Sequence, residues 1–389
     1  MCGAGVISLL ADEGVSRWLD GAGWHEPNPR RLARLVDDGL ITGLALGPEP
    51  LTRSLRRRTR TPWPGRPPRE AGPAAEALLA AEARRACDVL LPVHERTGGR
   101  DGHVAVEVGP AADTATALRL WRAVDRPNAL VALPAGPEGL AAAADCLAEG
   151  AGVDVGPVLS PGHYDLAAAA WLDGLRRARR AGRDLSRLQA VVSVPLAPVD
   201  AAFDEQLCRS SSEAAHVMRG EAALASARLV LHRHEQLLTG PAWRELASHG
   251  ARPHRMRWTD TAVRTPGIPD TRYVDELVVR DTVATMTPAT LEAVAERGNP
   301  RVDAGAGRGR ASARVLDSLE ILGAGYAHTT RELAERAARL RSLRWSELLG
   351  AVSAVGAGGG AAFRPVSSDS SDSSEHSSAA SDGPASAPE

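Results

Sequence analysis

Four carboxylates lie in or next to short apolar segments, where a fold can assemble acid–base chemistry. They are Asp20, Glu107, Asp154 and Asp260. Carboxylates that a fold brings together raise one another's pKa or attract a cation, such as an amine substrate or an oxygen-ligated divalent metal. A carboxylate pair can also serve as general acid and base. The alternative is that some of them point into solvent or pair with nearby arginines.

The sequence contains no lysine, so all 46 of its basic residues are arginines. This excludes any mechanism that needs a lysine amine, such as imine formation with a carbonyl substrate. The four cysteines lie far apart and have neither metal-site nor CxxC spacing. We therefore predict no metal site, no cofactor and no disulfide framework.

The charge and hydropathy of the 389 residues exclude several classes of protein. The 46 basic and 48 acidic residues give a net charge of -2, which argues against a nucleic-acid or anionic-membrane partner. No segment approaches the length of a membrane span, and the apolar run near the start lacks a preceding basic segment. We expect a cytoplasmic protein. Residues 354–389 are rich in Ser, Ala, Gly and Pro and are predicted to be a disordered tail, which leaves 1–353 as the folded body.

Short apolar runs alternate with helical patterns along the body. The predicted strands are 15–20, 41–46, 103–108, 129–134, 153–159, 190–196, 254–260 and 281–286, and the helical stretches between them include 74–98, 137–150, 161–182 and 213–249. Eight strands with crossover helices predict a closed (β/α)8 barrel. A doubly wound open sheet is the alternative, but the glycine-rich phosphate loop expected after its first strand is missing.

Two segments interrupt this alternation. Residues 52–73 are proline-rich and carry seven arginines, and in a barrel they would follow the second strand and lie over its mouth. Such a loop could contact a phosphate group, although a solvated loop is the more common outcome. Residues 298–312 are glycine-rich and are predicted to form a loose loop.

Blocks of sequence spread over residues 14–352 resemble bacterial transaldolases of the actinobacterial type. They include VSRWLD, ACDVLLPVHERTGGRDGHVAVEV, LWRAVDRPN, MRGEAALASARLVL, DTRYVDELVVRDTVATMTPATLEA and VLDSLEILG. The resemblance implies a (β/α)8 barrel and a Schiff-base enzyme of the pentose phosphate pathway, which transfers a dihydroxyacetone unit from sedoheptulose 7-phosphate to glyceraldehyde 3-phosphate. A sugar phosphate is the ligand that it implies.

The family's catalytic phrases are largely lost in this sequence. Where the family has its imine-forming lysine on the fourth strand, this chain has Ala132. The second strand of the family ends in a phrase whose polar side chains hold substrate hydroxyls. In this chain the phrase ends in Gly47 and Pro48 and has no polar side chain. On the fifth strand, Asp154 and Gly156 stand at the positions of an asparagine and a threonine.

The sixth and seventh strands have also changed. Pro198 replaces the arginine that holds phosphate in the family, and Asp260 lies in a phrase that is normally Ala-Ser-Thr-Gly.

Some polar positions of the family are retained. Asp20 and Glu107 match its proton-handling carboxylates, and Ser160 and Ser193 also match. We assign Asp20, Glu107, Asp154 and the Ala132 position to the catalytic set. We assign the substrate-binding set to Ser160, Ser193, Arg255 and Asp260.

Three hypotheses follow. The first is a transaldolase-family protein that lacks Schiff-base chemistry and is inactive as a transaldolase. The second is a repurposed, lysine-independent enzyme that uses carboxylates for acid–base catalysis in specialised metabolism. The third is a genuine transaldolase that works by an unrecognised route.

Overall fold

Eight parallel strands form a closed barrel in a computed structural model that describes residues 3–21, 29–57, 70–109, 111–302 and 307–358. Each strand pairs with the next along the chain, and the eighth pairs with the first. The strands are β1 (Ser16–Asp20), β2 (Gly43–Leu46), β3 (His103–Glu107), β4 (Ala129–Leu133), β5 (Gly152–Val155), β6 (Ala190–Pro195), β7 (Arg255–Thr259) and β8 (Val283–Met286). The predicted (β/α)8 barrel is confirmed, and every predicted strand segment overlaps one of these strands, although β5 begins one residue before the predicted 153–159.

The helices of the described residues surround the barrel. They are α1 (Gly3–Asp12), α2 (Pro29–Asp37), α3 (Glu49–Arg57), α4 (Ala71–Arg96), α5 (Thr114–Val124), α6 (Pro137–Glu149), α7 (Pro161–Arg180), α8 (Ala197–Leu207), α9 (Glu213–Val217), α10 (Ala222–Thr239), α11 (Pro241–Ser248), α12 (Arg272–Glu276), α13 (Pro288–Arg297), α14 (Gly309–Ile321) and α15 (Tyr326–Gly358). The predicted helical stretch 213–249 is divided into three helices, because Gly220 adopts a positive φ of 74° and Pro241 begins the last of them.

The two irregular segments are partly helical. The first residues of the arginine-rich segment, 52–57, belong to α3, whereas 58–69 lie outside the described residues. The glycine-rich segment 298–312 ends in the first turn of α14, which begins at Gly309. The position of the remaining arginine-rich residues over the barrel mouth therefore stays a prediction.

An apolar layer closes the interior of the barrel below its mouth. It consists of Trp18, Ala105, Leu130, Val191 and Val283, all nearly inaccessible to solvent. The Trp18 indole takes so much of this space that β2 must present a glycine beside it. A Cβ atom at Gly43 would lie 2.4 Å from Trp18 Nε1. Side chains one layer higher therefore face a cavity with a solid floor.

The long helix α15 crosses the mouth of the barrel near β2 and β3. Arg341 Nη1 donates a 3.0 Å hydrogen bond to the Val108 carbonyl, and Arg344 Nη1 lies 2.7 Å from Glu49 Oε1. The helix continues to Gly358, so the domain boundary predicted after residue 353 falls inside it. Residues 359–389 of the predicted tail lie outside the described residues. Within the described parts of the chain, no helix combines the length and apolarity that crossing a membrane requires.

A buried aromatic and histidine cluster joins α7, α10 and the start of β7. The Tyr164 hydroxyl lies 3.1 Å from His234 Nδ1 and 3.1 Å from His254 Nε2. The His254 ring packs edge-on against Trp171, with ring centroids 4.4 Å apart, and Trp171 stacks on Trp243. Burial lowers the pKa of His234 to about 4 and that of His254 well below its ordinary value. Both imidazoles are therefore neutral in the folded protein at neutral pH.

We expect the free energy of unfolding to fall as the pH is lowered from about 6.5 towards about 4, because the unfolded chain then binds protons that the folded chain excludes. His103, whose pKa burial also lowers to about 4, adds to this effect. Each unit of pKa difference contributes about 1.4 kcal/mol per histidine. Asp200 acts in the opposite direction, because burial raises its pKa to about 6 and the folded state then holds its proton more strongly.

Urea unfolding at a series of pH values measures this dependence. The variant His234→Gln should flatten the decline, whereas the same change at the exposed His216 should leave it unaltered. A wild-type stability that stays constant or rises between pH 6.5 and 4 would contradict the assignment of neutral buried histidines.

Candidate functional site

A cavity of about 410 Å³ opens at the carboxyl ends of the barrel strands, where (β/α)8 enzymes place their chemistry. The side chains that line its deeper part come from alternate positions of the strands, which point into the barrel. They include Asp20, Ala45, Glu107, Ala132, Asp154, Ser193, Arg257, Thr259 and Thr285. The four carboxylates that the sequence analysis grouped, Asp20, Glu107, Asp154 and Asp260, all line this cavity.

Ala132 lies in the cavity wall between two acidic positions. It pairs in register with Glu107 on β3 and with Asp154 on β5. Its side chain is a methyl group that packs against the apolar layer below. The position that the resemblance assigns to the imine-forming lysine is thus inside the cavity, between Glu107 and Asp154.

An arginine that the sequence analysis missed, Arg257, lies at the floor of the cavity. Its Nη2 is 2.6 Å from Asp154 Oδ2, and its Nε donates a 2.8 Å hydrogen bond to Ser193 Oγ. Ser193 Oγ in turn donates to Asp154 Oδ1 over 2.5 Å. The guanidinium carbon lies 5.4 Å from the centroid of the Trp18 ring, close enough for a cation–π contact. Three neighbours therefore hold Arg257 in one orientation.

The position of Arg257 could have been found from the period of the strand. In MRWT, residues 257 and 259 share one face, and Trp258 and Met256 share the other. The apolar pair Met256 and Trp258 packs outward against the helices, so the arginine must face the barrel interior.

Among the described residues that line the cavity, arginines are as numerous as carboxylates. Five arginines line it, namely Arg257, Arg264, Arg336, Arg341 and Arg344, beside the carboxylates of Asp20, Glu49, Glu107, Asp154 and Asp260. Of the two alternatives for these carboxylates, pairing with arginines is the one observed for Asp154, and Glu49 is paired in the same way. Arg257 comes from β7 itself, whereas Arg264 follows β7 and the other three arginines belong to helix α15. This balance removes the argument for an amine or metal ligand based on excess negative charge.

The surroundings of Glu107 change the proton affinity of its carboxylate. Burial raises its pKa, while Arg341 and Arg344 oppose this shift and Glu49 adds to it. Arg341 Nη1 lies 3.8 Å from Glu107 Oε1. The carboxylates of Glu49 and Glu107 both approach Gly47, where a Cβ atom would lie 2.5 Å from Glu49 Oε2 and 3.5 Å from Glu107 Oε2. Gly47 thus leaves room for a second carboxylate beside Glu107.

Two further residues predicted for the site, Asp260 and Ser160, lie in different surroundings. Asp260 follows β7 with a positive φ of 52° and accepts a 3.1 Å hydrogen bond from Thr259 Oγ1. Ser160 caps the first turn of α7, since its Oγ accepts a hydrogen bond from the His163 amide, and it is not among the residues that line the cavity.

Arg255 lies at the end of β7 opposite to the cavity. Its guanidinium donates hydrogen bonds to the Arg100 carbonyl over 2.8 Å and to the Thr282 carbonyl over 2.9 Å, and it forms a 3.0 Å ion pair with Asp101. These contacts tie the amino ends of the strands together. The prediction that Arg255 binds substrate is therefore wrong, because a residue at the start of a barrel strand faces the other end of the molecule.

No group of three or more histidine, cysteine, aspartate or glutamate side chains converges on a metal position within the described residues. The residues that line the cavity include both hydrogen-bond donors and acceptors. Such an arrangement suits a ligand with several oxygen atoms and a negatively charged group at the arginine-rich rim.

Comparisons with known proteins identify the family of this chain. The sequence model of the transaldolase/fructose-6-phosphate aldolase family matches residues 57–352. The chain is 38% identical to the transaldolase of Acidothermus cellulolyticus, in an alignment that covers 89% of this chain and 96% of that one. It is 37% identical to the transaldolase of Thermobifida fusca, over 89% of this chain and 97% of that one. The chain therefore belongs to the transaldolase family.

Proposed function

We propose that this transaldolase-family protein binds phosphorylated sugars in the barrel mouth but forms no imine with them and does not transfer dihydroxyacetone units. The observation that carries the proposal is the absence of lysine from the whole sequence, together with the methyl group of Ala132 in the cavity wall. A methyl group cannot attack a ketone, and an arginine guanidinium keeps its proton and is not a nucleophile at neutral pH.

The arginines of the rim support binding of a phosphate group. Arg264 and Arg336 are exposed residues that line the cavity, and guanidinium groups bind phosphate through paired, charge-assisted hydrogen bonds. They offer a positive rim even though Pro198 stands where the resemblance places a phosphate-binding arginine.

A carboxylate-based enzyme is the second candidate function, and the raised pKa of Glu107 favours it. A buried carboxylate with this property can take a proton from a carbon next to a carbonyl group and return it. In such an enzyme, Glu107 would exchange a carbon-bound proton of a sugar phosphate with solvent. Incorporation of deuterium from D₂O into the bound sugar, followed by NMR, separates this candidate from pure binding.

Borohydride trapping with fructose 6-phosphate tests the main proposal. We expect no stable adduct on the protein by mass spectrometry and no turnover in a coupled assay with erythrose 4-phosphate as acceptor. The transaldolase of Thermobifida fusca, treated in parallel, serves as the positive control. A covalent adduct, or steady interconversion of sugar phosphates by the purified protein, would overturn the proposal.

A further inference from the structure

We propose that the floor of the cavity recognises the hydroxyl groups of a polyol, so that the ligand's carbonyl group is not required and a phosphorylated sugar alcohol binds as well as the ketose phosphate. This inference rests on the proposed function, because it specifies which phosphorylated carbohydrates the same cavity accepts. It starts from the polar atoms that the folded chain leaves without hydrogen bonds.

Four buried polar atoms on cavity residues lack a hydrogen-bond partner among the residues that the structure describes. They are Glu107 Oε1, Asp154 Oδ2, Arg257 Nη1 and Thr285 Oγ1, each with almost no accessible surface. Asp154 Oδ2 lies in an ion pair with Arg257 Nη2 but retains accepting capacity. Buried polar groups are normally hydrogen-bonded, so a cluster of unsatisfied ones in a cavity indicates the ligand that completes them.

The types of these atoms define the chemistry of that ligand. An ionised carboxylate oxygen only accepts hydrogen bonds, whereas a guanidinium N–H only donates, and the threonine hydroxyl does either. The ligand must therefore donate to Glu107 and Asp154 and accept from Arg257. A carbonyl oxygen accepts only and cannot serve the carboxylates. Hydroxyl groups both donate and accept, so a chain of them meets every requirement.

The fixed orientation of Arg257 makes this recognition specific. Its Nε and Nη2 are held by Ser193 and Asp154, and Trp18 supports the plane of the guanidinium from the barrel floor. The donor Nη1 is therefore positioned before a ligand arrives, which reduces the entropy lost on binding. With hydroxyl groups at this floor, the ligand's phosphate group extends towards Arg264 and Arg336 at the rim.

Isothermal titration calorimetry with fructose 6-phosphate and glucitol 6-phosphate tests the inference. Glucitol 6-phosphate is the same molecule with its carbonyl reduced to an alcohol. We expect the two dissociation constants to agree within about threefold, which is the scale of one weak contact. A ketose phosphate that binds at least about tenfold more tightly than the alcohol would overturn the inference while leaving the proposed function intact. Binding of neither compound would overturn both.

A paired variant identifies the atoms involved. Arg257→Leu combined with Asp154→Asn removes both charges of the floor together, so that no buried charge is left unpaired. We expect it to weaken binding of both compounds by about tenfold or more. Arg339→Ala, which changes an exposed arginine of α15, is the matched control and should bind like wild type. Unchanged binding by a folded double variant, verified by its thermal unfolding, would contradict recognition at the floor.

Discussion

Replacing Ala132 with lysine is expected to leave the protein without transaldolase turnover. We expect the rate of Ala132→Lys to stay on the order of 10⁶-fold below that of a lysine-containing relative, the scale seen when a covalent nucleophile is lost. The new amine would lie between Glu107 and Asp154, which are in register with position 132 on both sides. The two neighbouring carboxylates would stabilise the protonated, ammonium form of the lysine. An ammonium group has no lone pair and cannot attack a carbonyl carbon.

The surroundings of position 132 add a second obstacle. The resemblance assigns a water-positioning threonine to the position of Gly156, and a side chain there collides with the present site. A Cβ atom at Gly156 would lie 2.6 Å from Ser193 Cβ. Ser193 is itself held by Asp154 and Arg257. The catalytic arrangement therefore cannot be restored one residue at a time.

The coupled assay and borohydride trapping measure the outcome for Ala132→Lys. Thermal unfolding confirms that the variant is folded, and the Thermobifida fusca transaldolase confirms that the assay detects turnover. A rate within about 100-fold of that relative would show that a single amine suffices, and would refute the view that the whole site has diverged.

Breaking the Arg257–Asp154 ion pair from one side is expected to destabilise the protein by about 3–5 kcal/mol, because the remaining charge is buried without its partner. The two side chains are only 10% and 2% exposed. Arg257→Leu leaves the Asp154 carboxylate against an apolar side chain and the Trp18 ring. We expect a correspondingly large fall in the urea midpoint with little change in the slope of the transition.

The double variant Arg257→Leu with Asp154→Asn should recover most of that loss. Neutral groups of similar size replace a buried ion pair at little cost, and the asparagine still accepts from Ser193. A double-mutant cycle from urea unfolding measures the coupling between the two residues. If the single and double changes are simply additive, the ion pair is energetically unimportant and the floor of the cavity is not held by it.

Much of the fold follows from local pattern. Runs such as HVAVEV and ALVALP can bury both faces of a strand, and the helical segments between them carry the crossover connections that parallel strands need. Eight repeats of this strand–helix unit close into a barrel. Successive side chains of a strand point to opposite faces, so every second residue of each strand faces the barrel interior. This is why Glu107, Ala132 and Asp154 could be placed at the mouth from the sequence together with the resemblance.

Other features depend on distant parts of the chain. The sequence indicated Asp154 as a candidate acid, but it did not identify the partner. Arg257 lies over a hundred residues later and reaches Asp154 only because β5, β6 and β7 are neighbours in the barrel. Arg341 and Arg344 come from the last helix and approach Glu107 across the mouth. Arg255 was assigned to the substrate-binding set, but its position at the start of β7 puts it at the end of the barrel opposite to the cavity.

The sequence by itself therefore determined the class of fold and the absence of lysine, because strand and helix periodicity and the identity of each side chain are local properties. Only the tertiary structure decided which charges meet. Ion pairs between β5 and β7, and between α15 and the barrel mouth, depend on barrel closure and helix placement, which no short segment encodes. Because electrostatic interaction depends on distance in space, the charge balance of the cavity could be determined only from the folded structure.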